Sequence, residues 1–449
     1  MKIGRVLLIG MAICLVLSSC KIADSSIGNH DSVSGKIKIL YNDELTFMQE
    51  YGGFIISEFP NIDIEIIEAK SGNLRNTTIR EQFVRTINEQ RPDIIISNNL
   101  DIYSMLIQEG VLFSLQQKIR KDNYDVTSMH QGILDLIRSK GDSELYGLAP
   151  FFTNQAIFYN KDIFNKYGVP HPKDNMTWPE IFSLAERVSS NNSTATDRVY
   201  GFNFLHSSPF INTMYTVAPA YNLRVINPDT KELNIGSKRW KEIFTEVIGA
   251  YKKNVIPNTI INTNNKITKE ELQAADFFLR GKSAMTLDSL NLITRMNSSD
   301  NKSNLDWAVV TAPVGPENLE QAAYYFPSSI FSIFQNSSNK DLSWEIIKYL
   351  NSRKFAKINS KLNSSQLTTR LLDDKDNIRF GKDISSFYKL TPILSDYSSL
   401  YDISTDFVKV LNQAGQEEFD KVLNEGKLLD VAIQNIIQKS ASANPSIKK

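Results

Sequence analysis

Residues 91–97 read Arg91-Pro92-Asp93-Ile94-Ile95-Ile96-Ser97. A turn-forming Pro-Asp pair runs into a continuous apolar stretch, which suits a parallel strand covered on both faces. Upstream, Ile62–Ile67 (IDIEII) alternates with a period of two, and Lys36–Tyr41 (KIKILY) alternates before turning apolar. Both read as strands. The segments between them, Leu45–Phe59 and Thr78–Glu89, carry helical patterning. Strand, helix, strand, helix, strand is the rhythm of an α/β domain with a parallel sheet.

The same grammar continues downstream. Helices are predicted over Tyr103–Gln108, Asp125–Ser139, Trp240–Lys252, Glu270–Arg280 (stopped by Gly281), Leu342–Leu350 and a final Leu428–Lys439. Short strands are predicted at Tyr146–Ala149, Ala156–Tyr159, Ser283–Leu287 and Trp307–Val310. Thr177-Trp178-Pro179-Glu180 has the form of a capping box with a proline early in the first turn, where no donor is wasted.

The first twenty residues are MKIGRVLLIGMAICLVLSSC. Lys2 and Arg5 precede an apolar run of roughly a dozen residues, too short to span ~30 Å of hydrocarbon, so the stretch reads as a secretory signal. Ser18 and Ser19 supply small residues before the cut, and Cys20 follows. The ending resembles a bacterial lipoprotein signal, in which that cysteine is lipidated and becomes the mature N-terminus; the alternative is an ordinary signal peptide with an incidental cysteine. The chain has only two cysteines, Cys14 and Cys20. The mature protein therefore has no disulfide and no thiolate for catalysis or metal binding. Residues 1–19 are read as the signal, 20–35 as a Ser/Gly/Asp-rich tether and 440–449 as a loose tail.

With 449 residues, the body exceeds one compact core and favours two lobes. Fifty basic residues balance fifty acidic ones. That balance argues against a nucleic-acid partner and against a strongly electrostatic membrane grip.

An ordered set of segments resembles the sugar-type extracellular solute-binding proteins of bacterial ABC importers, of which maltose-binding protein is the familiar member. The set is Tyr146–Pro150, Ala156–Phe164, Tyr167-Gly168-Val169-Pro170, Thr177–Glu180, Phe277–Leu287, Asp306–Pro313 and Ser343–Leu350. The resemblance covers the chain from about Lys36 onward. It implies an α/β, two-lobed periplasmic-binding-protein fold of type II, with discontinuous lobes joined by hinge segments. The crossings are placed near Ala149–Phe152, Thr311–Gly315 and Lys361–Ser365. Lobe one is then 36–149 plus 315–361, and lobe two 150–314 plus 362–439.

Open α/β sheets bind ligands outside the carboxyl ends of their strands. Within the implied cleft this nominates Tyr41, Asn42, Asn98 and Asn99 from lobe one, and Phe152, Thr153 and Asn154 from the hinge. The resemblance adds Phe210, Asp288, Ser289 and Tyr401 from lobe two. Each has a plainer reading: the asparagines as turn formers, Phe152 and Phe210 as core, Asp288 as a helix cap. One departure stands out. Sugar-binding members often carry Trp after the Ala-Met-Thr strand, whereas this chain has Asp288-Ser289-Leu290-Asn291. Trp178, Trp240, Trp307 and Trp344 read as scaffold, which leaves stacking on a sugar ring to Tyr or Phe.

The implied function is capture of a small-molecule solute, most naturally a carbohydrate, by a monomer tethered through Cys20 to the outer face of the cytoplasmic membrane. The solute passes unaltered to ABC permease subunits, with no cofactor, metal or catalytic residue. A solute-sensing co-receptor for a membrane signalling protein would need the same fold and cleft. A carbohydrate-active enzyme is the other alternative, since two carboxylates suffice for glycoside hydrolysis. The four histidines form no ligand-spaced pair, and neither His-Glu-x-x-His nor Gly-x-Ser-x-Gly occurs. Gly281-Lys282-Ser283 echoes a phosphate loop, but Asp276 stands where its first glycine belongs.

Overall fold

A computed structural model describes residues 33–69, 77–190, 198–204, 210–227, 232–258, 268–298, 305–363, 365–394 and 405–443. Cys20, Tyr401 and the signal lie outside the described residues.

The three opening strands form as their patterns predict. Ser34–Tyr41 pairs in parallel with Asn61–Glu68 along its whole length, and Ile39 and Leu40 pair in parallel with Ile94 and Ile95. The strand therefore begins at Ser34, inside the segment read as tether. The sheet is mixed rather than parallel throughout, because Ile330–Phe334 returns antiparallel beside Ile94–Ser97, with Leu112–Phe113 at the far side. All four residues Ile94–Ser97 are buried, as a strand covered on both faces requires.

A second sheet takes the order Trp307–Thr311, Ala156–Asn160, Ser283–Asp288, Tyr200–Phe204. Ala156–Asn160 runs antiparallel to both its neighbours, while Tyr200–Phe204 lies parallel to Ser283–Asp288. Against it packs the helix Trp178–Ser189, whose capping box closes as read: Glu180 accepts from the Thr177 amide at 2.7 Å and its hydroxyl at 2.8 Å. Trp178 is fully buried among Phe182, Phe202 and Phe204. The other three tryptophans are buried as well.

A third, three-stranded sheet joins the two. Phe151–Thr153 is its centre, flanked antiparallel by Phe326–Ser328 and Leu367–Thr368. These strands are the crossings. The second one falls at Phe326–Ser328, not at the expected Thr311–Gly315. Val314 still bridges to Thr177, and Gly315 sits so close to the Ala220 carbonyl that a Cβ would come within 2.2 Å of it. Residues 311–315 thus stay with the second sheet.

Several helices differ from their sequence patterns. The predicted Asp125–Ser139 helix begins only at Gln131, because Asp125 turns back to accept from the amides of Thr127 and Ser128. The predicted Glu270–Arg280 helix spans Lys269–Ala275; Asp276 then accepts from the Leu279 amide and opens a turn. The final helix runs Leu429–Ala443, into the segment read as tail. It pairs with a twenty-residue helix, Thr405–Asn424, that the sequence reading did not mark. This hairpin is pinned by Glu418, which is 1% exposed and paired with Lys427, Lys421 and Lys439, with Asn435 also donating. Burial pushes the Glu418 carboxyl up, but its hydrogen bonds with Lys427, Asn435 and Lys421 outweigh it and hold it at about 2.

Among the described residues no helix is long and apolar enough to cross a membrane.

Candidate functional site

The hinge sheet fixes which ends of the two large sheets come together. Ser328 pairs with Phe151 in the hinge, and two residues later Ile330 pairs with Ser97 at the end of the third strand. At the opposite end of the hinge sheet, Thr153 is three residues from Ala156, which pairs with Asp288. Three residues of extended chain reach at most about 10 Å. The carboxyl ends carrying Tyr41 and Asn98 on one side, and Asp288 and Ser289 on the other, are therefore both tied closely to one small sheet.

On the first side, Tyr41 ends its strand at 5% exposure and donates to Glu50 at 2.9 Å. Its ring meets Phe47 and Tyr51 edge-on, at 5.7 and 6.4 Å between centroids. Burial pushes both the Tyr41 and Tyr51 phenols up. Glu50 and Tyr51 reach Tyr41 because the expected Leu45–Phe59 helix is interrupted by a π-helical turn, Met48–Gly52. Asn42 and Asn98 are half-buried. Asn99 is spent on capping: its Oδ1 accepts from the amides of Asp101 and Ile102, starting the helix Leu100–Gln108 three residues before its predicted start.

In the hinge, strand alternation separates neighbours. Phe152 is fully buried on one face among His130, Tyr325 and Tyr388. Thr153 is half-buried on the other, paired with Phe326. Phe326 is 51% exposed, although the adjacent Tyr324 and Tyr325 are buried. Asn154 is buried, donating to the Phe387 carbonyl at 2.8 Å.

On the second side, Asp288 is buried and takes its charge partner from Arg295, whose guanidinium also lies 3.6 Å from Asp276. Burial raises the Asp288 carboxyl's pKa despite that cation. Its other oxygen accepts from the Ser289 amide at 2.7 Å. Ser289 is half-buried. Phe210 is core: its ring stacks on Phe419 at 4.0 Å. Of the nominated residues, the structure brings Tyr41, Asn42, Asn98, Thr153 and Ser289 to the hinge-linked ends and spends Asn99, Phe152, Asn154, Phe210 and Asp288 on capping, core or ion pairing. Tyr401 lies outside the described residues. Glu50, Tyr51 and Phe326 went unread; for Phe326 the aromatic run Tyr324-Tyr325-Phe326 was the available signal. No cluster of potential metal ligands occurs among the described residues.

The family profile described as bacterial extracellular solute-binding protein matches residues 47–357. A putative binding protein of Brucella abortus is 25% identical over 211 residues, spanning 46% of this chain and 47% of that relative. The sn-glycerol-3-phosphate-binding periplasmic protein of the same species is 27% identical over 92 residues, 20% of this chain and 21% of its own length. The chain thus spans about half, or less, of the length of these curated relatives. Among solved structures, a sugar transporter of Rhizobium etli in an open conformation aligns at TM-score 0.66 and 17% identity, covering 91% of this chain and 100% of that one. The sugar-binding protein MalE of Xanthomonas citri aligns at 0.62 and 16%, covering 91% and 97%. A Listeria monocytogenes ABC substrate-binding protein in complex with cycloalternan aligns at 0.57 and 18%, covering 91% and 98%. The shared fold is the two-lobed, type II periplasmic-binding-protein architecture.

Proposed function

The chain belongs to the bacterial extracellular solute-binding protein family, and from that premise we propose that it captures a sugar or oligosaccharide between two lobes and delivers it unaltered to an ABC permease. The observation that carries this reading is the hinge sheet, whose strands lead within two or three residues into both large sheets. Lobe one is built on the Ser34–Tyr41 sheet together with Ile330–Phe334, and lobe two on the Ala156–Asn160 sheet with the C-terminal hairpin. Two rigid bodies on short strands form a closure device, and solute favours the closed form by its differential affinity for it.

Asn42, Asn98, Thr153 and Ser289 supply hydrogen bonds to hydroxyls, with Tyr401 added from lobe two. Phe326 offers the apolar face on which a sugar ring stacks. Such polar groups discriminate because a solute lacking the matching hydroxyl leaves them unpaired. Micromolar affinity corresponds to about −8 kcal/mol, within reach of one stacked ring and a few hydrogen bonds. A lipid on Cys20 holds the body at the outer face of the cytoplasmic membrane.

Mass spectrometry of solute co-purified from the native host identifies the cargo, and scattering with and without it measures closure. We expect an intact saccharide and a smaller radius of gyration in its presence. A phosphorylated polyol as the cargo would overturn the saccharide assignment; a profile unchanged by every solute, including maltotriose and sn-glycerol 3-phosphate, would overturn the clamp.

A further inference from the structure

Glu50 is an exposed carboxylate with a fixed anchor. The Tyr41 ring is buried, and its hydroxyl donates to Glu50 Oε2 at 2.9 Å. A carboxylate has about four acceptor sites, and this bond occupies one of them. Glu50 comes within reach because it lies in the π-helical turn Met48–Gly52, a departure from regular helix that recurs at functional sites. It is tied to the carboxyl end of Ser34–Tyr41, the strand end that leads into Asn42.

The surroundings leave that charge unneutralised. No lysine or arginine occurs between Lys38 and Lys70. Two further acids, Asp43 and Glu68, lie at the same strand ends, and each accepts from a backbone amide: Asp43 from Thr46 at 2.8 Å, Glu68 from Glu44 at 3.1 Å. Among the described residues no cation pairs with Glu50. An ordinary surface acid turns freely in solvent, whereas this one is held by a phenol whose ring cannot move. An oriented carboxylate without a counter-ion accepts strongly from hydroxyl donors, and it repels a phosphate or carboxylate brought to the same place.

We propose that Glu50 determines solute specificity in the first lobe: its unspent oxygen accepts from hydroxyls of the solute, and its charge turns away solutes that carry a phosphate or carboxylate. The inference rests on the capture reading above and narrows it to polyhydroxylated solutes without an anionic group. Tyr41 is then a positioning residue, which holds Glu50 through its hydroxyl while its ring stays in the core. Discrimination of this kind needs a penalty against the wrong solute as well as a contact with the right one, and a single oriented charge supplies both.

The experiment takes the full chain from its native host and identifies the released solute by mass spectrometry. Calorimetry then titrates that solute, or maltotriose where the protein purifies empty, into solute-free wild type, Glu50→Gln and Glu50→Ala, with sn-glycerol 3-phosphate as a second titrant. Glutamine keeps the size and can still accept from Tyr41; alanine removes charge and contact together. We expect a solute without an anionic group, bound about tenfold more weakly by Glu50→Gln and more weakly again by Glu50→Ala, with no such loss for sn-glycerol 3-phosphate. Solute-free melting temperatures should agree within about 2 °C, as for an exposed position. Equal affinities in all three proteins would overturn the assignment and leave capture standing. A released solute bearing phosphate or carboxylate, or an empty wild type that prefers sn-glycerol 3-phosphate to maltotriose, would overturn it too. A melting temperature several degrees lower, with both titrants weakened alike, would reduce Glu50 to a support for Tyr41 and overturn its role in specificity. A wild type that carries no solute and binds neither titrant would overturn this inference and the capture reading together.

Discussion

The two sheet ends that face the hinge are stabilised by opposite means. On the first, neutral aromatic rings close around Tyr41, and one phenol–carboxylate hydrogen bond to Glu50 is its charged element. On the second, a buried carboxylate, Asp288, is matched by Arg295, with Asp276 nearby. An aromatic wall loses stability in proportion to the area removed, whereas a buried ion pair fails abruptly when one partner goes. The first wall can be adjusted atom by atom; the second is an all-or-none support.

That contrast is broken most severely at Arg295. Arg295→Met leaves Asp288 buried without its cation and should cost about 3–5 kcal/mol in urea unfolding. The loss should shrink at lower pH, because protonating Asp288 removes the stranded charge. Tyr41→Ala should cost about 3 kcal/mol as a large-to-small core change, and Tyr41→Phe about 1 kcal/mol for the hydrogen bond to Glu50; equal losses in the two would refute an area-scaled wall.

A third test lies behind the hinge, in neither wall. His130 is buried against Phe152, and burial lowers its pKa to about 4 from an ordinary 6.5. The folded form therefore binds fewer protons than the unfolded one between those values. Its contribution is fully present above pH 6.5 and declines toward pH 4, by up to about 1.4 kcal/mol per pH unit. His130→Phe should flatten the stability profile between pH 6.5 and 4.5, a window above the range in which Glu418 titrates. The smallest change in stability belongs to Phe326→Ala, within about 0.5 kcal/mol because the ring is exposed. Its solute affinity should fall about tenfold by calorimetry with the co-purified saccharide; unchanged affinity would remove Phe326 from the cleft.

How much of this was legible varied with the kind of signal. Ile94-Ile95-Ile96 announced a covered strand because nothing but burial explains three such residues together. The π-helical turn was invisible, since the pattern of 45–59 fits an uninterrupted helix and one extra residue in a turn leaves no compositional trace. Phe152 and Thr153 were nominated together, yet a single step of strand register leaves the first buried and the second half-buried. Phe326 escaped for a related reason: three aromatic residues in a row conceal which one is left uncovered. Asp125 misled in another way, its side chain competing with the helix that the apolar spacing favoured.

The stacking of Phe210 on Phe419 spans more than two hundred positions, and Gln416 accepts from the Phe210 amide at 2.7 Å. One half of the molecule is therefore completed only by the helical hairpin Thr405–Asn424 and Leu429–Ala443. As the chain is synthesised, that half stays unfinished until the hairpin follows. Deletion of the hairpin should therefore leave a protease-sensitive product.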